Sequence, residues 1–250
     1  MSKRKLRAGR TSRPLLPVLR GQNLKETAAR VLFTLAACVS ILAVILICVF
    51  LFAGGVPGMM KIGVWDFLSG QKWKPGSGQF GILPFILGSI YVTAGALVVG
   101  VPAGLLTAVF LSRFASKKVV RIMRPAVSLL AGIPSVVYGF FALVVMVPLV
   151  RNTLGGTGSS LLTACILLGM MILPTIITVS EAALDAVPSS YYEGALALGA
   201  THEQSVFRVL LPAAKSGVTA AIILGVGRAI GETMAVIMVA GNQPRLTGNM

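Results

Sequence analysis

The sequence predicts an all-α fold, a polytopic transmembrane helical bundle, on three observations: its composition, its long uncharged stretches and the placement of its cations. Of 250 residues, 56% are hydrophobic and 12% are charged, whereas soluble domains carry about 45–50% apolar and about 25% charged residues. A hydrocarbon core about 30 Å thick is crossed by roughly 20 helical residues. Val31 to Ala53 and Gly81 to Leu111 reach that length without a single charge.

Taken in chain order, the predicted spans are about 31–53, 81–111, 125–150, 161–179 and 218–240. The third contains Pro134 and Pro148 and the fourth Pro174. Proline at such depth calls for neighbouring helices that satisfy the carbonyls it frees. The fifth is apolar except for Arg228 and Glu232. Residues 1–30 read as a basic cytoplasmic tail, and its length with the apolar stretch behind it reads as an uncleaved anchor rather than a secretory signal.

A net charge of +15 raises the question of nucleic acid, but its placement points to a membrane. Nine Lys and Arg precede the first span, and Arg113, Lys117, Lys118, Arg121 and Arg124 lie between the second and third. Loop 54–80 holds only Lys61, Lys72 and Lys74, loop 151–160 only Arg151, and the tail beyond the fifth span only Arg245. That is the positive-inside asymmetry; it predicts a cytoplasmic N-terminus, contact with anionic membrane lipid and no nucleic-acid partner. The five basic residues from Arg113 to Arg124 are read as topological anchors, and Glu181 and Asp185 as solvated. Cys38, Cys48 and Cys165 sit in apolar runs as small hydrophobes. His202 is the one histidine, so neither a metal site nor a catalytic constellation is expected.

Glycines are spread through the spans. Gly100 with Gly104, and Gly227 with Gly231, have the small-xxx-small spacing that lets membrane helices touch. Gly54, Gly55, Pro57, Pro75, Gly76 and Gly78 predict a turn-rich outer loop with Trp65 and Trp73 at the interface.

Loop 181–217 carries two helix-start patterns, Ser190 before Glu193 and Thr201 before Gln204, each able to form a reciprocal capping box. Pro188 ends the preceding helix, Gly199 supplies a left-handed stop, and Pro212 closes or redirects the second short helix. The product is a helical elbow under the membrane. Its first helix offers Tyr191, Tyr192, Leu196 and Leu198, more apolar surface than a free loop should show, which suggests docking into a partner's groove. Glu193 is explained equally well as a capping group.

At this loop the chain resembles the membrane subunits of bacterial ABC importers (the MetI-like permease type), whose signature runs Glu-Ala-Ala, three residues, Gly, nine residues, Ile-x-Leu-Pro. Glu193, Gly194, Ala195, Gly199, Val209, Leu211 and Pro212 keep every interval, with Gly194 for the usual Ala and Val209 for the usual Ile. The run Gly227-Arg228-Ala229-Ile230-Gly231-Glu232-Thr233-Met234-Ala235, with Gly241-Asn242 after it, is similar to that of phosphate importer permeases, more the PstC-type than the PstA-type. The resemblance implies a permease domain over 31–250 in a bacterial inner membrane and six spans, one more than the five counted, so a further helix is expected beyond this sequence. It implies a PstA-type second permease, a homodimeric ATPase that uses ATP and Mg, and an extracytoplasmic phosphate-binding protein as partners. This chain itself has no G-x-x-x-x-G-K-[ST] loop, so no cofactor is expected in it. Tyr191, Tyr192, Glu193, Gly194, Ala195, Gly199, Leu211 and Pro212 become the expected ATPase-coupling residues.

A charge at the bilayer centre costs about 2.5–3.5 kcal/mol, so Arg228 and Glu232, four residues apart on a continuous helix, are expected to compensate each other. Two roles stay open. They form a buried ion pair that orients the helix, or Arg228 attracts the phosphate dianion along the pathway while Glu232 holds its guanidinium. Molybdate or sulfate would suit the same cation, and an ion-coupled secondary transporter using the two as a relay is the reading of a different class.

Overall fold

A chain in hydrocarbon must pair every backbone N–H and C=O within itself, so its apolar runs become helices. The computed structural model describes residues 24–241; the cations before Leu24, and Asn242 and Arg245 at the other end, lie outside the described residues. Helix α1 (Leu24–Ile62) forms a unit by itself. It already includes Lys25 and Arg30, which trims the expected basic tail, and it continues through Gly54, Gly55 and Pro57. The outer loop therefore begins after Ile62 rather than at Gly54, because breaking the helix earlier would strand backbone groups beside apolar neighbours.

The second unit starts at Gly63. Helix α2 (Val64–Ser69) leads into an antiparallel hairpin of β1 (Trp73–Lys74) and β2 (Gln79–Phe80), with Trp73 opposite Phe80. The Trp73 ring meets Phe80 and Phe85 edge-on, at 5.9 and 5.8 Å between centroids, while Trp65 stays exposed.

Helix α3 (Leu83–Val109) runs on through a π-helical turn at Phe110–Phe114, giving a 32-residue apolar element. Helix α4 (Lys117–Gly132) follows, then α5 (Ser135–Phe141), a π-helical turn at Ala142–Met146, and α6 (Val147–Leu154). The third span is therefore Ser135–Leu154, 20 residues, and not 125–150. The residue before a proline is pushed out of the helical region, and Ile133 is extended with ψ 127° ahead of Pro134, which detaches α4 as a separate basic helix.

Helix α7 (Leu161–Asp185) is the centre of this unit; Leu167, Leu168, Met171, Ile172 and Ile176 are all buried. Its start is fixed by Ser160, whose hydroxyl accepts the Thr163 N–H at 3.3 Å. Helix α3 packs against it through glycine. A Cβ on Gly100 would stand 2.7 Å from Ile172 Cδ1, and one on Gly104 2.8 Å from Ile176 Cγ2. The first small-residue pair thus does what its spacing predicts. The second does not within this chain: a Cβ on Gly227 or Gly231 meets nothing within 4 Å, and it is Gly225 that lies against Ile176.

The chain continues as α8 (Ser189–Ala197), α9 (His202–Ser205), a π-helical turn at Val206–Leu210, α10 (Leu211–Ala213), α11 (Lys215–Gly231) and α12 (Met234–Ala240). His202–Ala213 and Lys215–Gly231 meet at a bend of 69°, so Pro212 redirects the chain rather than ending it. By length and composition the described residues contain four membrane-crossing helices, or five if the bent pair is one span. The fold is the predicted all-α transmembrane bundle.

Candidate functional site

Two places bring the sequence-predicted residues together: the elbow of α8 to α10, and the break between α11 and α12.

The elbow has its own apolar core. Val206, Leu210, Ala214 and Val218 pack with Val109 from the end of α3 and Leu184 from the end of α7. Within α8, Ala195 is buried and Tyr192 half-buried, while Tyr191, Glu193 and Leu196, and Leu198 just past its end, are exposed. Tyr192 therefore anchors the helix inward instead of adding to its exposed surface. Gly199 has φ +85°, and its N–H and that of Ala200 close back on the carbonyls of Leu196 and Ala195 at 2.9 and 3.1 Å; this is the left-handed stop. The Thr201 box forms: its hydroxyl accepts the Gln204 N–H at 3.3 Å, and the Gln204 side chain accepts the Thr201 N–H at 3.2 Å.

The Ser190 box does not form. The helix starts at Ser189 with Pro188 as its cap residue, two positions too early for Ser190 to cap and for Glu193 to reach back. Glu193 is left exposed, with no hydrogen bond or ion pair among the described residues. The capping explanation for its presence is gone.

Beside the elbow the structure shows a brace that the sequence reading missed. Arg124 Nε donates to Glu181 Oε1 at 2.7 Å, and its Nη2 to Asp185 Oδ2 at 3.3 Å. Asp185 Oδ1 also accepts the Ser112 hydroxyl at 2.6 Å. The Arg124 guanidinium is held above its ordinary pKa, first by the hydrogen bond to Glu181 and then by that carboxylate's charge. Glu181 is only 8% exposed, which corrects its reading as a solvated acid. The Arg113 side chain donates to the Leu184 carbonyl, a cation at the negative end of α7. These two arginines do more than mark topology. The signal available was the i, i+4 spacing of Glu181 and Asp185 opposite a basic cluster, but their partners lie 57 and more residues away.

In the second place the structure overturns the expected ion pair. The backbone is extended at Glu232 (φ −80°, ψ 118°), so residues 228 and 232 no longer share a helical face. Arg228 Nη1 donates instead to Thr175 Oγ1 on α7 at 3.2 Å. Glu232 Oε1 accepts the Ala235 N–H at 3.0 Å, satisfying one of the free amides at the start of α12. Both residues are half-buried. The result is a guanidinium with only a neutral hydroxyl partner among the described residues, beside a break in an apolar segment. Such a group can hold an anion by charge-assisted hydrogen bonds.

Residues 100–250 match the family described as binding-protein-dependent transport system inner membrane component. A probable ABC transporter permease protein, YqgH, from Bacillus subtilis (strain 168) is 39% identical over 236 residues, 92% of this chain and 76% of that protein. The phosphate transport system permease protein PstC of Mesorhizobium japonicum is 34% identical over 220 residues, covering 80% and 67% of the two chains. The PstC of Xylella fastidiosa (strain 9a5c) is 32% identical over 254 residues, covering 92% and 78%.

Proposed function

Since the chain belongs to the binding-protein-dependent transport system inner membrane component family, we propose that it is the PstC-type permease subunit of an ATP-driven importer of inorganic phosphate. It is a multi-pass inner-membrane transport subunit and not an enzyme, and it works with an ATPase and a binding protein. In the finer reading, a PstA-type permease completes the pathway, a homodimeric ATPase burns ATP with Mg below, and a phosphate-binding protein delivers substrate outside. The N-terminus and the elbow face the cytoplasm in this reading, which the cation asymmetry supports. The ATPase grips α8 through Tyr191, Glu193, Leu196 and Leu198, with the exposed Gly194 letting the partner lie close, Ala195 seating the helix on its own bundle, Gly199 ending it, and Leu211 with Pro212 turning the chain back to the membrane.

The observation that carries the pathway reading is the state of Arg228. A half-buried cation whose partner is the Thr175 hydroxyl, 3.2 Å away, keeps most of its positive field available. A carboxylate partner would cancel it. Glu232, spent on the start of α12, shapes the break instead of neutralising the arginine. A dianion is thus attracted without meeting a fixed counter-charge, and it is released when the bundle rearranges.

Transport by Arg228→Gln tests this. In correctly inserted protein, phosphate uptake should fall by at least tenfold while ATPase assembly is kept. Uptake near the wild-type rate would remove Arg228 from the pathway.

A further inference from the structure

His202 is the first residue of α9, and the Gly199 stop and the Thr201 box fix where its side chain points. Its ring is half-buried between three elements. Nε2 lies 3.2 Å from the Arg113 carbonyl, and Nδ1 lies 2.9 Å from the Tyr192 hydroxyl on α8. The Phe114 ring meets it edge-on at 4.8 Å and the Tyr192 ring at 5.7 Å. A carbonyl only accepts, so Nε2 carries the hydrogen; in the neutral ring Nδ1 then accepts from the Tyr192 hydroxyl. The Arg113 carbonyl belongs to the last turn of the second span, where helical carbonyls lack partners of their own. Arg113 in turn reaches the Leu184 carbonyl at the end of α7. A continuous polar path therefore runs from α8 through His202 to the ends of the second and fourth spans.

We propose that His202 is the positioning residue that ties α8 to the end of α3, so that movement imposed on α8 is delivered to the second span. This rests on the reading that α8 is gripped by the ATPase. Without the imidazole, α8 keeps its Gly199 stop and its exposed docking face but loses its hydrogen-bonded tie to the bundle. The apolar contacts of Tyr192 and Ala195 remain, and these hold the fold without fixing the direction of motion.

The test uses the full complex, with both permeases and the ATPase, in proteoliposomes supplied with phosphate-loaded binding protein. Two readouts are taken: cross-linking of Leu198→Cys to the ATPase, and phosphate transported per ATP hydrolysed. His202→Ala should keep the cross-link and the ATPase activity and lower the transport ratio about fivefold or more. His202→Gln, whose amide N–H can reach the Arg113 carbonyl, should recover at least half of the ratio. Tyr192→Phe should lower it alone and add nothing in the His202→Ala background. A purely structural role would lower yield, hydrolysis and transport together, leaving the ratio unchanged, and that result overturns the proposal. If His202→Ala fails to assemble, Tyr192→Phe decides, because it keeps the ring packing; an unchanged ratio there is equally fatal. No cross-link in the Leu198→Cys protein that is otherwise wild type would instead sink the docking reading and the proposal with it.

Discussion

Replacing Arg124 with alanine strands the Glu181 carboxylate. The Glu181 side chain is 10% exposed and its 2.7 Å partner is gone, whereas Asp185, at 45% exposed, is rehydrated by solvent. An exposed ion pair contributes at most about 1 kcal/mol, and breaking a fully buried pair costs about 3–5 kcal/mol. Arg124 is itself 51% exposed, so the loss lies between those limits, at about 2–3 kcal/mol, close to the value of a hydrogen bond to a charged group. Glu181→Gln keeps an oxygen that accepts from Arg124 and should cost about 1 kcal/mol. The Arg124→Ala/Glu181→Gln double variant should cost less than the sum of its two single variants, with a coupling of about 1–2 kcal/mol. Denaturant unfolding in mixed micelles measures all of these. An Arg124→Ala protein within about 0.5 kcal/mol of wild type, or an additive cycle, would refute the claim that the pair braces α4 against α7.

Four further outcomes follow from the geometry. Gly100→Ala puts a methyl 2.7 Å from Ile172 and 2.9 Å from the Gly169 carbonyl, so it should destabilise by about 1–3 kcal/mol. Gly227→Ala, open on all sides, should leave the isolated chain's stability unchanged within about 0.5 kcal/mol; the same unfolding titration reads both. Gly199→Leu forces a side chain into φ +85° at about 1–2 kcal/mol, and transport per ATP should fall while membrane insertion, scored by protease protection, is kept. The Glu203 carboxyl is held below its ordinary pKa by its own backbone amide first and then by the Thr201 hydroxyl. Its stabilisation is therefore complete above the ordinary carboxylate value of about 4.3 and lost as pH falls toward the lower folded value. Glu203→Gln should flatten the acid limb of the stability-against-pH curve.

What could be read from sequence was what depends on neighbours in the chain. Apolar length located the first, second and fourth spans, Gly100 and Gly104 announced a close helix contact, and Gly199 with Thr201 and Gln204 marked the stop and restart of the elbow. The failures have physical causes. Pro188 started α8 two residues early and dissolved the Ser190 box, and Pro134 detached α4 from the third span. The extended backbone at Glu232 carries no mark in composition, yet it separates two charges that a continuous helix would have paired. The Arg124 brace and the His202 tie join residues 57 to 89 positions apart. Periodicity does not register partners at that distance; only the folded arrangement of α3, α4, α7 and α9 brings them together.

The most direct measurement is ATP-driven uptake of radiolabelled phosphate into proteoliposomes holding this chain with its second permease and ATPase, fed by the binding protein, with sulfate and molybdate as competitors. Phosphate should accumulate in a manner that needs ATP and Arg228 and is little reduced by either competitor. Uptake that proceeds on an ion gradient without ATP, or that follows sulfate or molybdate in place of phosphate, would contradict it.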